Sequence, residues 1–183
     1  MTTEIAVNVS PDTVSAAPAR HHRVPLDDPS LYAWRWFLQA HARLTRRLDE
    51  DLQASHRLSL AKYDALVQLA LAPGRQLRMS VLADRVLLSR SGVTRLVDRL
   101  VADGMVERAA CATDARGAEA SLTEAGLNRL REASGTHLDG IRRYFLEVIS
   151  AADQAAIARG LSAVVDGISG QTAADATIVE ADA

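Results

Sequence analysis

The chain has 183 residues, room for one compact domain with tails and too few for two independent cores. Hydrophobic residues make up 48%, but 33 positions are alanine and aromatics are only 4%, so helices are expected over a β-sandwich or an aromatic platform for single-stranded nucleic acid. The formal charge of −2 does not by itself announce nucleic acid, and a single cysteine, Cys111, excludes an internal disulfide framework and a multi-cysteine metal site.

Pro11, Pro18, Pro25 and Pro29 crowd the first 29 residues, between which no helical or strand period is legible, so residues 1–29 read as a flexible arm. The opening residues lack the basic and apolar regions of a secretory signal, and no apolar run approaches the roughly 18 residues of a membrane span. The cytoplasm is the expected compartment, and no membrane partner is expected. Asp28-Pro29 then offers a helix start, and Leu31, Trp34, Phe37, Leu38, His41, Leu44, Leu48 and Leu52 recur at three- and four-residue steps, predicting a long amphipathic helix over 30–53. A second helix follows Ser59, with Tyr63, Leu66, Val67 and Ala70 on one face and Pro73-Gly74 as its stop. A short helix over 79–86 carries Leu82, Ala83 and Val86. A fourth starts at Ser89 and turns Val93, Leu96, Val97 and Leu100 inward until Gly104.

Beyond Gly104 the period changes. Residues 105–108 alternate as a strand does, residues 119–122 pair back, and the polar stretch CATDARGA with Gly117 forms the loop between them. Thr123 caps a helix over 124–149 with Leu127, Leu130, Leu138, Ile141, Phe145 and Val148 on its apolar side, weakened or kinked at Gly135 and Gly140. A last helix over 152–168 carries Ile157, Leu161, Val164, Val165 and Ile168, and residues 171–183 read as a disordered acidic tail. Without arm and tail, residues 30–170 carry a net charge of +3.

Two helices joined by the turn Leu87-Leu88 and followed by a hairpin give the order helix, turn, helix, wing. The second helix of such a pair enters the major groove of DNA with its N-terminal residues at base edges. With the apolar positions turned inward, Arg90, Ser91, Thr94, Arg95 and Asp98 remain outside, and residues 75–116 hold eight arginines against five acids. Arginine forks onto guanine, while serine and threonine bond phosphates or bases. An ordinary solvated helix face is the competing explanation, and it leaves the hairpin without a purpose.

The stretch LADRVLLSRSGVTRLVDRLVADGMVER, the loop residues Asp114, Arg116 and Gly117, and the LTEAG at 122–126 together resemble the MarR family of bacterial winged-helix regulators over residues 30–168. The fold class expected is therefore mainly α with a small β-hairpin wing. It places a winged helix-turn-helix lobe over 58–123 in a domain of 30–170, with dimerisation helices over 30–53 and 124–168. The resemblance implies an obligate homodimer on a palindromic double-stranded operator, acting as a repressor and released by a small ligand. It implies DNA contacts from Ser89, Arg90, Ser91, Thr94 and Arg95, entry of Arg116 into the minor groove, and an ion pair of Asp114 that braces the wing. Arg99 and Arg108 complete the basic surface, and Arg95 or Arg99 is the expected partner of Asp114. The broad apolar faces of the first and last helices independently favour a twofold partner.

A ligand between lobe and dimer helices would meet Trp34, Trp36, His41 and Arg43 on the first helix and Tyr63 on the second, although tryptophans at helical spacing equally suit a core or interface. Cys111 offers a redox switch at the root of the wing, but no second cysteine is present to resolve a sulfenic acid. The histidines have no partner at metal-ligand spacing, so neither metal nor other cofactor is expected. No nucleophile elbow, phosphate loop or dinucleotide fingerprint argues for an enzyme. A winged-helix module that binds protein is the remaining alternative, against which the exposed arginines speak.

Overall fold

A computed structural model describes residues 28–111 and 114–181, with side chains described except at 30, 110–117 and beyond 169. All but the last two residues of the expected arm thus lie outside the described residues. Residues up to Phe37 and residues from Leu38 onward form two compact units. In the first, a 3-10 turn over Pro29–Leu31 leads into helix α1 (Tyr32–His56), with the Leu31 amide donating to the Asp28 carbonyl at 3.0 Å. The Trp34 and Phe37 rings sit 5.9 Å apart, and the Arg35 guanidinium lies over Tyr32. Tyr32, Trp34, Trp36 and Phe37 are all exposed.

In the second unit, α1 continues to α2 (Leu60–Ala70), then β1 (Gln76–Arg78), α3 (Met79–Arg85), α4 (Arg90–Ala102), β2 (Val106–Cys111) and β3 (Asp114–Leu122). Helix α5 (Glu124–Ile141) and α6 (Ala151–Ala181) follow. The start of α2 is secured twice: Ser59 Oγ accepts from the Lys62 amide, and Asp49 Oδ1 accepts from the Leu60 amide at 2.7 Å. The strands form an antiparallel sheet in the order β1-β3-β2, with Leu77 and Arg108 both opposite Ala120 and Val106 opposite Leu122. Beneath it Leu66, Leu82, Leu96, Val97, Leu100 and Val106 form a core that excludes water almost completely. Burial of these leucines and valines contributes about 1.5–3 kcal/mol each, which holds the two helices and the hairpin as one body.

Thr123 joins hairpin to α5 as the sequence suggests: its hydroxyl donates to the Gly104 carbonyl at 2.8 Å and accepts from the Gly126 amide at 3.0 Å. Gly126 is buried where a β carbon would strike the Met105 carbonyl, so the glycine of LTEAG permits α5 to touch the hairpin's root.

Three expectations need correction. Strand β1 has no counterpart among the elements expected from the sequence, because three residues carry no period and its pairing is tertiary. The helix expected over 124–149 keeps its α-helical form only to Ile141 and ends in a π turn over Arg142–Leu146, while the last helix begins at 151, next to its expected start at 152, with the axis turned by 101°. Ser150 sets the start of α6: its hydroxyl accepts from the Asp153 amide and donates to the Asp153 carboxylate, capping the new helix, while Gln154 Nε2 donates to the Leu146 carbonyl left open by the break. Finally, α6 runs to Ala181, through the segment expected to be a disordered tail, since alanines dominate and no proline interrupts them. No single described helix is long and apolar enough to cross a membrane.

Candidate nucleic-acid interface

Ser89 begins the recognition element. Its hydroxyl accepts from the Gly92 amide at 3.1 Å and lies 3.2 Å from Ser91 Oγ, so the cap that starts α4 also fixes a pair of hydroxyls at its tip. The four apolar side chains Val93, Leu96, Val97 and Leu100 are buried, and Ser89, Arg90, Ser91, Thr94, Arg95, Asp98 and Arg99 are all exposed, the partition that the helical period predicts. Thr94 directs its hydroxyl back to the Arg90 carbonyl at 2.9 Å. Among the described residues none pairs with Arg90, Arg95 or Arg99, which leaves three guanidinium groups along one helix face. Their charge augments the positive end of the helix dipole at Ser89 and makes this face an anion-attracting surface.

Arg108 is placed differently from its expected role. It reaches from β2 to α4, where Nη1 lies 3.0 Å from Asp98 Oδ1 and Nη2 donates to the Thr94 carbonyl at 3.1 Å. This two-pronged contact is a polar link between wing and α4, added to the core packing of Val106 with the buried face of α4. Sequence reasoning placed Asp98 on the outer face and missed its pairing, because a contact between strand and helix has no local spacing signal. The side chains of Asp114, Arg116 and Cys111 lie outside the described residues, and with them the expected pairing of Asp114 to Arg95 or Arg99.

Between α3 and α4, Leu87 adopts φ +54° and is 90% exposed. This left-handed residue makes the turn tight enough for Leu88 to donate its amide to the Ala83 carbonyl at 3.0 Å.

The candidate ligand residues fall in both compact units. Trp34 and Trp36 are exposed in the first unit, and His41 and Arg43 are exposed on α1 in the second. Tyr63 is buried in the core, its ring 4.4 Å from that of His137 and its hydroxyl donating to Ser134 at 3.4 Å. Beside it lies a cavity of about 330 Å³ walled by Leu44, Leu48, Leu60, Ile141 and Phe145, with Asp64 and His137 as its ionisable groups. His137 Nδ1 is buried without a hydrogen-bond partner. Burial lowers the His137 pKa below its usual 6.5 and raises that of Asp64, so each favours its neutral form more than it would in water. Among the described residues no three histidine, cysteine, aspartate or glutamate side chains gather around a point that could hold a metal ion.

With this geometry, comparison with known proteins is decisive. The family model for MarR proteins matches residues 58–117. The crystal structure of AbsC, a MarR family transcriptional regulator from Streptomyces coelicolor, is 31% identical at a TM-score of 0.74, covering 80% of this chain and 99% of that one. The chain belongs to the MarR family of transcriptional regulators. A second MarR-family regulator from Streptomyces coelicolor, Sco3205, solved in complex with DNA, is 32% identical at a TM-score of 0.70 and covers 74% of this chain and 84% of that one. A MarR-family structure from Silicibacter pomeroyi is 30% identical at a TM-score of 0.63, over 75% of this chain and 94% of that one. No curated protein matches the sequence. MarR proteins regulate transcription and are not enzymes.

Proposed function

We propose that this MarR-family regulator is a homodimeric repressor that places two copies of α4 and of the β2–β3 hairpin on a palindromic duplex. The observation that carries the reading is the outer face of α4, where Arg90, Arg95 and Arg99 stand exposed beside Ser89, Ser91 and Thr94. Ser89, Arg90, Ser91, Thr94 and Arg95 meet base edges and phosphates in the major groove. Arg116 enters the minor groove, whose narrow A·T stretches concentrate negative potential. Arg108 acts through α4, holding the helix to the wing, and Asp114 braces the hairpin from its other strand.

The dimer supplies what a single chain lacks. Ile157, Leu161, Val164, Val165 and Ile168 form an exposed apolar stripe along α6, and a twofold partner covers such a stripe at both copies with one contact. It also spaces the two recognition helices at the roughly 34–36 Å that successive major grooves require. The ligand that releases the duplex enters the cavity between α1, α2 and α5, where apolar walls suit an organic body and the unpartnered His137 nitrogen suits a polar group.

Mobility shifts on a duplex recovered from a randomised pool, run at several salt concentrations, test this reading. Wild type is expected to bind as a dimer with strong salt dependence. Arg116→Ala binds more weakly, with the logarithmic salt slope shallower by about 0.9 for each phosphate that the arginine no longer neutralises. Absence of any recovered duplex, or an unchanged slope, overturns respectively the whole reading or the role of Arg116.

A further inference from the structure

Twenty of the chain's 21 basic residues other than histidine are arginine, and the exception, Lys62, lies outside the basic surface. Its ammonium is 2.5 Å from Asp103 Oδ2, with 19% of the lysine side chain and 38% of the aspartate side chain exposed. Asp103 is the C-cap of α4, its amide bonded to the Arg99 carbonyl. A carboxylate at that end of a helix faces the negative pole of the helix dipole and is disfavoured unless a cation accompanies it. Lys62 is that cation. Its own backbone is anchored by the Ser59 cap at the first turn of α2.

We infer that Lys62 is a positioning residue whose ion pair with Asp103 sets the angle at which α4 meets the duplex, an inference that rests on the reading of α4 as the recognition helix. The argument is one of leverage. Thirteen residues of helix span about 20 Å, so a rotation of roughly 5° about the Asp103 end moves Arg90 by nearly 2 Å. Hydrogen bonds to base edges tolerate only about half an ångström in length, whereas phosphates attract a cation over a broad range of distances. A loosened pivot therefore erodes discrimination between sequences before it erodes affinity for DNA in general.

Two polar ties of different origin add to the buried apolar face of the helix. Arg108 fixes its middle to β2, and Lys62 fixes its end to α2. Helix α2 also presents Leu60 and Asp64 to the cavity and Tyr63 to His137 of α5. The residue that steadies the end of α4 thus lies on the same two turns as those that line the cavity, and among the described residues the pair is a direct polar link from that helix to the recognition element.

The test compares wild type with Lys62→Met, Asp103→Asn and the reversed pair Lys62→Asp/Asp103→Lys. It uses the best duplex recovered from a randomised pool, an unselected duplex of equal length, several salt concentrations and a thermal melt. Each single variant is expected to lower the ratio of selected to unselected affinity about tenfold, the worth of one good hydrogen-bonded pair at a base edge. Unselected affinity and salt slope should stay near wild type. The reversed pair, whose charges suit both helix ends, should restore most of the ratio. The inference is overturned if folded Lys62→Met or Asp103→Asn keeps the wild-type ratio, if both duplexes weaken equally, or if a folded reversed pair restores nothing. Should Lys62→Met fail to fold, Asp103→Asn and the reversed pair decide. A wild type that prefers no duplex would instead remove the reading of α4 itself, and this role with it.

Discussion

The winged-helix lobe and helix α6 use the same apolar residue types at the same helical spacing, with opposite outcomes. Leu66, Leu96 and Val97 are at most 1% exposed, whereas Val164, Val165 and Ile168 on α6 are about 60% exposed. In the lobe, α2, α3, α4 and the sheet close over one another. Along α6 no described side chain but that of Gln154 is even partly buried. Periodicity therefore announces that a helix has an apolar face, and says nothing about which molecule covers it.

The sharpest way to break this comparison is to make the same truncation in both regions. Leu96→Ala removes a fully buried side chain from a closed core and should cost about 3 kcal/mol in chemical denaturation, with a cavity left behind. Leu161→Ala with Val165→Ala on α6 should leave the lobe's unfolding nearly unchanged, within about 0.5 kcal/mol per site, while weakening self-association by at least about tenfold in sedimentation experiments. If instead the α6 variant unfolds the lobe and leaves association intact, α6 packs on its own chain and the proposed twofold contact is wrong.

The parts of the molecule that were legible in the sequence are those governed by local rules. Ser89 as cap, the buried set Val93, Leu96, Val97 and Leu100, and the exposed set Arg90, Ser91, Thr94, Arg95 and Asp98 all follow from a helix of 3.6 residues per turn started at a capping serine. Thr123 was legible as a cap for the same reason. What was not legible depends on partners distant in the chain. Strand β1 exists because β3 offers it an edge, Arg108 turns to Asp98 because sheet and helix pack together, and Tyr63 packs in the core against His137 of α5. The end of α5 is an intermediate case: the start of α6 near 152 was legible, whereas the π turn over Arg142–Leu146 was not, because the apolar period continues through it.

His137 sharpens the comparison from inside the second unit, because it is a polar group treated by the fold as apolar. Its imidazole is depressed below 6.5 by burial, so the unfolded chain takes up a proton more readily than the folded one. Stability should accordingly be full above pH 6.5 and decline as pH falls from 6.5 toward the lower folded value. His137→Phe, which keeps an aromatic ring against Tyr63, should flatten that decline in thermal melts between about pH 7.5 and about 5. A wild-type imidazole that titrates by NMR at or above 6.5 would show that its buried nitrogen has a partner after all.

The smallest expected effect concerns the turn that joins the two helices of the lobe. Leu87 is as apolar as Leu96, yet it is 90% exposed and held at φ +54°. A left-handed conformation costs an ordinary L residue about 1–2 kcal/mol, and the exposed side chain makes too little contact to offset that. Glycine removes the steric cost but adds about 0.5–1 kcal/mol of unfolded-state entropy, so Leu87→Gly should stabilise the chain by no more than about 1 kcal/mol. In a thermal melt that is a rise of roughly 2–4 °C. At Leu88, where φ is not left-handed and the side chain is partly covered, the same substitution should lower the melting temperature. The sign at position 87 is the informative quantity. A fall there would mean that the leucine side chain is covered in the assembled protein, and the turn would then belong with α6 among the surfaces awaiting a second molecule.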